Sequence, residues 1–139
     1  MFTSNTKQLA ILIDPGKYGV NHLVTLLQLM QQNPPHYVLV GGSITSASMD
    51  ETIALIRQYL SVPVILFPGS ATQFTPKADA LMYLSLISGR NPDYLIGQHV
   101  LSSIPIKKSG LKVIPVGYML IESGRMTSVE YISNTKPIP

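Results

Sequence analysis

The residue types best suited to chemistry follow directly after short apolar runs of the chain. Asp14 follows residues 10–13, and Gly42 and Ser43 come just after a second run at residues 37–40. A carboxylate and a hydroxyl are oxygen ligands of the kind that Mg²⁺ prefers, with phosphate oxygens and water completing its coordination. Gly42 could expose a backbone N–H group to a phosphate, or simply provide a tight strand exit. Asp14 could equally stabilise the Pro-Gly turn that follows it, so the residues alone leave both roles open.

Aromatic and small residues after the later apolar runs could line a binding site. Phe67, Gly69 and Ser70 could border an apolar slot, although the Pro-Gly pair among them is first a turn signal. Tyr118 is followed four residues later by Glu122. A strand would place both side chains on one face. They could then face a ligand together, or both could pack.

The elements that must position these residues alternate between strands and helices. Strands are predicted at residues 10–13, 37–40, 62–67, 80–84 and 112–121. Helices are predicted at residues 21–32, 49–60 and 92–106, with a helical turn at 71–74 and a loop at 133–139. The alternation predicts parallel βαβ units, whose ligand sites lie at the carboxyl ends of the strands. Periodicity alone allows a barrel segment or a small doubly wound sheet, although the GxGxxG and GxxxxGK[ST] patterns of nucleotide sites do not follow the first strand.

The composition indicates one globular domain, residues 1–139, with an unusually neutral surface. Charged residues make up 12% of the chain and hydrophobic residues 45%, against about 25% charged in a typical domain. An apolar partner, a membrane face or an unfinished interface would explain this surface. The net charge of +3 comes from scattered residues, so no nucleic-acid partner is expected. The absence of cysteine excludes disulfides and a thiolate nucleophile.

The expected location is the cytoplasm. No stretch reaches the roughly 18 apolar residues of a membrane span. The first residues lack the basic and then apolar order of a signal peptide. Contact with a membrane surface stays open as an expectation, because the low charge would favour it.

Segments spread along the chain together resemble the geranylgeranylglyceryl phosphate synthase family, including its bacterial heptaprenylglyceryl relatives. They lie in the family's order at residues 12–17, 40–43, 63–70, 88–92, 95–100 and 117–124. The resemblance implies an α/β fold, an incomplete (β/α)8 TIM-type barrel of about five parallel βα units. It also implies a prenyltransferase that uses Mg²⁺ to join sn-glycerol 1-phosphate to a polyprenyl diphosphate, which forms an ether lipid precursor.

The resemblance assigns roles to the candidate residues. The family's metal positions match Asp14 and Ser43 of this chain. Relatives usually have Asp-Pro-Asp-Lys where this chain has Asp14-Pro15-Gly16-Lys17, so the metal-matching acid is kept. The residues expected to border the prenyl diphosphate are Gly42, Phe67, Gly69, Ser70, Tyr83 and Tyr118.

The main departure from the family is length. A (β/α)8 barrel takes about 250 residues, and this chain has 139. In the family, the segment after the position of Pro139 carries the general base, the Glu of a Tyr-Leu-Glu-Ala-Gly motif, and the loops that hold glycerol phosphate. No catalytic base is therefore expected on this chain, and little turnover is expected from it alone. The alternative is a non-catalytic half-barrel that self-associates as a homo-oligomer or pairs with a separate C-terminal piece.

Overall fold

A computed structural model describes residues 6–139, and its centre is one parallel sheet. The strands are β1 (Ala10–Ile13), β2 (Tyr37–Val40), β3 (Val64–Leu66), β4 (Ala80–Leu86) and β5 (Lys112–Tyr118). They lie side by side in sequence order, and each is parallel to the next. A doubly wound sheet would reverse its strand order at the ligand site, and this sheet does not. The prediction of five parallel βα units in barrel order is confirmed.

In the part of the chain that the structure describes, four α-helices and two shorter helical segments connect and follow the strands. The helices are α1 (Val20–Gln32), α2 (Met49–Tyr59), α3 (Gln98–Ser109) and α4 (Ser128–Ser133). A 3-10 turn (Ala71–Gln73) lies between β3 and β4, and a π-helical segment (Asp93–Gly97) leads into α3. Within residues 6–139, none of these helices is long and apolar enough to cross a membrane.

The main core lies between the sheet and the apolar faces of α1 and α2. Leu27 of α1 and Ile56 of α2 are fully buried, as is Val38 of β2 on the facing side of the sheet. Each such side chain stabilises the fold by about 1.5–3 kcal/mol through burial. A smaller cluster around Tyr37 and Ile65 covers the opposite, inner face of the sheet. The helix-covered side therefore carries most of the stability, and the inner side is left more open.

At the carboxyl edge of the sheet, β4 extends beyond the end of β3. Only Ile65 and Leu66 of β3 pair with β4, opposite Ala80 and Leu81, while β4 continues to Leu86. The connection at residues 67–79 holds only the 3-10 turn and no full helix. Beyond Leu81, β4 keeps its pairing with β5, but β3 has already ended at Leu66 and offers no further partner. This difference in length leaves a space beside β4.

Three strands differ in length from the prediction. The fourth strand extends to Leu86 instead of residue 84. The third strand spans Val64–Leu66 instead of residues 62–67, and the fifth ends at Tyr118 instead of residue 121. After Tyr118 the chain changes partner. The Leu120 N–H donates to Ser88 Oγ at 2.9 Å, and Ile121 pairs with Ile138 in an isolated bridge. The apolar composition of residues 119–121 gives no sign of this change of partner.

Helix α4 lies almost entirely in residues 122–132, for which no element is predicted, and overlaps the predicted loop at residues 133–139 only at Ser133. It begins after Thr127, whose side chain accepts a hydrogen bond from the Glu130 N–H at 3.2 Å, while the Glu130 carboxylate accepts from the Thr127 N–H. This reciprocal arrangement is a capping box. The T-x-x-E pattern that signals it is present in the sequence. The helix ends at Ser133 and is capped by Asn134, which adopts the left-handed conformation with φ 47°.

Candidate functional site

A cavity of about 310 Å³ opens at the carboxyl ends of the strands, in the space beside β4. This volume falls at the lower end of the usual range for small-molecule sites, about 300–1,000 Å³. Charged, hydroxyl and glycine residues line it at the exits of the first three strands: Asp14, Lys17, Gly42, Ser43, Gly69 and Ser70. Apolar side chains from β4, α3 and α4 line much of the remaining wall: Leu81, Met82, Leu84, Leu86, Ile106 and Ile132.

The position of Asp14 is compatible with both roles that the sequence leaves open, stabilisation of the turn and binding of a cation. Its Oδ1 accepts a hydrogen bond from the Gly16 N–H at 3.1 Å and so stabilises the turn after β1. Its Oδ2 lies 3.6 Å from Lys17 Nζ. The Asp14 side chain is 13% exposed and lines the cavity, whereas Lys17 is 66% exposed. One carboxylate oxygen therefore serves the turn and the other is available to a cationic partner.

Ser43 lies in the same cavity, at the exit of the neighbouring strand. The Asp14 carboxylate rests against Gly42, where an added Cβ would collide with it. This contact places the carboxylate beside the residue that precedes Ser43. Ser43 Oγ accepts a hydrogen bond of 3.3 Å from Ser128 Oγ at the start of α4. The predicted convergence of the two strand ends on one space is present, and the metal role of the two side chains stays a prediction.

The donor set fits Mg²⁺ only with help from a ligand. Within residues 6–139, no three His, Cys, Asp or Glu side chains cluster tightly enough to hold a metal ion by themselves. Mg²⁺ does not require such a cluster, because it is usually bound by one or two carboxylates together with substrate phosphates and water. Asp14 Oδ2 and the Ser43 hydroxyl are oxygen donors of that kind on one cavity wall. The residues therefore fit a magnesium ion shared with a phosphate group.

Gln73 is a site residue that the sequence does not reveal. It lies at the end of the 3-10 turn, and only 4% of it is exposed. Its carboxamide bonds to the backbone of both Gly42 and Gly69. Glutamine is mostly found on protein surfaces, so a single Gln after a Pro-Gly turn gives no sign of burial.

Two aromatic pairs form part of the cavity wall. Phe67 and Tyr118 meet edge to face, with ring centroids 5.8 Å apart. Tyr83 and His99 are stacked at 4.1 Å, and the Tyr83 hydroxyl donates to the His99 carbonyl oxygen at 3.0 Å. His99 Nε2 lies 2.7 Å from the Leu84 carbonyl oxygen. A carbonyl oxygen only accepts hydrogen bonds, so this nitrogen carries the proton and His99 is held in place.

Tyr94 lines the cavity, whereas Glu122 does not. Burial, with a smaller contribution from the charge of Asp93, raises the pKa of Tyr94 above its ordinary value, so this phenol stays neutral. Glu122 does not share a face with Tyr118, because β5 ends at Tyr118. The Glu122 carboxylate is exposed and accepts a hydrogen bond from the Gly124 N–H at 2.7 Å. Tyr118 lines the cavity and Glu122 does not, so the open possibility that both face a ligand together is not realised.

Strands in barrel order and a cavity at their carboxyl ends define the class of this protein: consecutive βα units of a (β/α)8-type barrel with a ligand site at the usual face. The chain belongs to the PcrB family, whose model matches residues 4–139. Among solved structures it is similar to the crystal structure of (S)-3-O-geranylgeranylglyceryl phosphate synthase from Thermoplasma acidophilum in complex with substrate sn-glycerol-1-phosphate. That similarity has a TM-score of 0.86 at 31% identity and covers 97% of this chain and 55% of that chain.

Relatives at the sequence level carry the same name. A geranylgeranylglyceryl phosphate synthase from Spirosoma linguale is 50% identical over 137 residues, covering 98% of this chain and 55% of the relative. One from Chitinophaga pinensis is 48% identical over 134 residues, covering 96% of this chain and 53% of the relative. The predicted resemblance to this family is confirmed. The chain spans about half the length of the relatives it matches.

Proposed function

We propose that this chain forms the prenyl diphosphate half of the active site in a prenyltransferase of the geranylgeranylglyceryl phosphate synthase type. The observation that carries the proposal is one cavity that contains Asp14 and Ser43 at adjacent strand exits and an apolar wall along β4 and α3. A polyprenyl diphosphate has the same two parts, an anionic head and an apolar tail. The names of the relatives support the same substrate class.

The head of the substrate is proposed to bind at the strand exits. Asp14 and Ser43 would hold Mg²⁺, which when bound would neutralise charge on the leaving diphosphate. The Lys17 ammonium group adds a second positive charge beside the carboxylate. Gly42, Gly69 and Ser70 allow the diphosphate to approach the backbone closely, since two of the three lack a side chain.

The tail is proposed to lie along the apolar wall. The wall follows α3 from Gln98 to Ile106, and the eight helical steps between these residues extend over about 12 Å. Phe67 and Tyr118 stand near the strand exits, where they would shield the reacting carbon from water. The stacked Tyr83 and His99 continue the wall beside β4. Hydrophobic contact along this wall would orient the allylic carbon toward the strand exits.

The whole protein is proposed to complete the reaction with sn-glycerol 1-phosphate. The glycerol hydroxyl oxygen would form a bond to the allylic carbon, the bond from that carbon to diphosphate would break, and the hydroxyl proton would pass to a base. No base is proposed on this chain, which agrees with its span of about half the relatives' length. We further propose that the chain acts as one domain in the cytoplasm.

Titration calorimetry of the chain with geranylgeranyl diphosphate tests this function, with Mg²⁺ and with a chelator. Mg²⁺ is expected to raise the affinity of the wild type for the diphosphate. Asp14→Asn is expected to lower the affinity measured with Mg²⁺ by at least about tenfold, because even outer partners of metal sites contribute that much. Asn keeps an oxygen for the Gly16 N–H, so the turn should survive. Glu51→Gln, an exposed carboxylate on α2, is the matched control. Equal Mg²⁺-dependent binding by Asp14→Asn and the wild type would refute the proposal.

A second candidate, a non-catalytic half-barrel that associates with another copy of itself, is favoured by one specific observation. Large apolar side chains on the outer side of α3 and its preceding segment are well exposed: Ile96 63%, Val100 73%, Leu101 69% and Ile104 64%. A contiguous apolar face of this kind marks an interaction surface. The calorimetry separates the candidates, because a pure assembly module would not bind the diphosphate in a Mg²⁺-dependent manner.

A further inference from the structure

We propose that Gln73 is a positioning residue that holds the backbone of the β2 and β3 exits in the conformation that receives the diphosphate head. This inference rests on the proposed function, because it concerns the head end of that cavity. Gln73 itself acts through Gly42 and Gly69, whose backbones form part of the cavity wall. Gln73 is therefore expected to affect the binding of the diphosphate head and not the binding of the prenyl tail.

The hydrogen bonds of Gln73 carry the proposal. Its Nε2 donates to the Gly42 carbonyl oxygen at 2.7 Å. Its Oε1 accepts from the Gly42 N–H at 3.2 Å and from the Gly69 N–H at 3.1 Å. A carboxamide has one acceptor and one donor group side by side, so a single side chain can pair with Gly42 in both directions. The same oxygen then connects Gly42 to the neighbouring exit.

These hydrogen bonds lie just beyond the end of the β2–β3 ladder, where the strands themselves no longer pair. The ladder between β2 and β3 ends with Val40 opposite Leu66, and the Phe67 N–H then donates to the Val40 carbonyl oxygen at 2.8 Å. Gln73 supplies the next pairing for Gly42 from outside the ladder. Gln73 therefore continues the hydrogen bonding between the two chain segments beyond the ends of β2 and β3, where both segments line the cavity.

Glycines at the exits permit this close approach but do not enforce it. A Cβ at Gly41 would collide with the Phe67 carbonyl oxygen, and a Cβ at Gly69 would collide with the Gly42 carbonyl oxygen. Glycine also has the greatest backbone freedom of any residue. Two exits rich in glycine would sample many conformations without a fixed partner. Gln73 provides that partner, and preorganised backbone groups bind a ligand with less loss of entropy.

Gln73 is itself anchored on both sides. Its N–H donates to the Ser70 carbonyl oxygen at 3.2 Å, which closes the 3-10 turn. The Ala71 N–H at the start of that turn donates to Gln98 Oε1 at 2.8 Å. The turn is thus tied to α3, which forms the opposite wall of the cavity. Both the carboxamide and the element that carries it are fixed.

Gln73→Glu is the sharpest test, because it removes one donated hydrogen bond at almost constant volume, together with the addition of one negative charge. The carboxylate can still accept from the Gly42 and Gly69 N–H groups, but it cannot donate to the Gly42 carbonyl oxygen. Titration calorimetry would compare two probes on the chain: geranylgeranyl diphosphate with Mg²⁺, and geranylgeraniol, which has the tail without the head. We expect about a tenfold or greater loss of affinity for the diphosphate and no more than about a twofold change for the alcohol.

Gln58→Glu makes the same charge change on the exposed side of α2 and is expected to leave both affinities unchanged. Hydrogen exchange on the wild type gives a second readout that does not depend on a variant. The Gly42 and Gly69 N–H groups are expected to be protected, because both donate to Gln73 Oε1.

The outcomes separate this inference from the function on which it rests. Equal losses for diphosphate and alcohol in Gln73→Glu would show a purely structural residue and overturn the inference, as would unchanged binding of both probes. Rapid exchange of the two glycine amides in the wild type would also overturn it, even if the variant failed to fold. Wild-type protein that binds the alcohol but shows no Mg²⁺-dependent binding of the diphosphate would instead refute the proposed function.

Discussion

Glycine at position 42 allows the Asp14 carboxylate to lie against the backbone of the β2 exit, because an added Cβ would occupy the same space. Two features therefore fix the position of the Asp14 carboxylate. One is the space left by the missing side chain of Gly42, and the other is the hydrogen bond from the Gly16 N–H. Residue 42 combines three functions in one backbone unit: space for Asp14, a partner for Gln73 and an approach to the ligand. A substitution there should affect the proposed head end of the site directly.

Gly42→Ala is expected to displace the Asp14 carboxylate and to lower the Mg²⁺-dependent affinity for geranylgeranyl diphosphate by at least about tenfold. Forcing the extra carbon into the packed exit should also lower the free energy of unfolding by about 1–3 kcal/mol. Gly19→Ala is the matched control, since its Cβ would meet nothing within 4 Å. Calorimetry and urea unfolding measure the two effects. Wild-type affinity in Gly42→Ala would show that the contact with Asp14 does not matter.

Individual site residues were predictable from sequence to different degrees, for physical reasons. Asp14 and Ser43 stand at the ends of apolar runs, and parallel strands bring such ends to one edge. Gln73 depends on a turn that brings its side chain back toward the strand exits, and local sequence does not encode that return. Glu122 illustrates the opposite case, because its spacing from Tyr118 is meaningful only while the strand continues, and the strand ends.

At the scale of elements, an ion pair with an added hydroxyl fastens the start of α2 to the connection before β4. Lys77 Nζ lies 2.7 Å from Asp50 Oδ2, and Thr75 Oγ1 donates to Asp50 Oδ1. These hydrogen bonds, that of Lys77 first, hold the pKa of Asp50 below its usual value. A depressed pKa in the folded protein means that the ionised form stabilises the fold.

This contact is expected to make part of the stability depend on pH. The contribution should be fully present above the unfolded pKa of aspartate, about 3.9, and should disappear as the pH falls through the lower folded value. Asp50→Asn should therefore be less stable than the wild type at neutral pH, and the difference should shrink below about pH 4. Urea unfolding across this range measures it, and Lys77→Met with the double variant isolates the coupling. A difference that stayed constant down to about pH 2 would contradict the prediction.

The boundaries of strands and helices were predictable where the apolar run in the sequence has the same limits as the hydrogen-bonded element. The first two strands coincide with their apolar runs, and α2 begins at residue 49 as predicted, after Ser48, whose Oγ accepts from the Glu51 N–H at 3.2 Å. The last strand was predicted too long because residues 119–121 are apolar but pair elsewhere. Such a change of hydrogen-bonding partner depends on tertiary contacts, which the β-propensity of the residues does not predict.

At the scale of the whole molecule, the sheet has two edge strands, β1 and β5, whose outer edges are not paired within residues 6–139, and β5 is the longer of the two. β5 pairs with β4 along seven residues, from Lys112 to Tyr118. Its side chains are mostly half exposed or exposed, and Val113 is 41% exposed. An apolar strand with a free edge is prone to pair with another chain. The neutral surface that the composition predicts is concentrated in part at this edge and on α3.

The chain is therefore expected to self-associate in solution through the β5 edge. Light scattering after size-exclusion chromatography should give a mass above the 15.2 kDa of the monomer that rises with concentration. Val113→Lys should raise the dissociation constant at least about tenfold, because a charge on an edge strand disfavours pairing. Val20→Lys adds the same charge at the start of α1, where the side chain is 70% exposed, and should have no effect. If the wild type remained a monomer at every concentration, the free edge would be protected in some other way and the half-barrel assembly would lose its support. If both lysine variants weakened association equally, net charge would be the cause and the β5 edge would not be the contact.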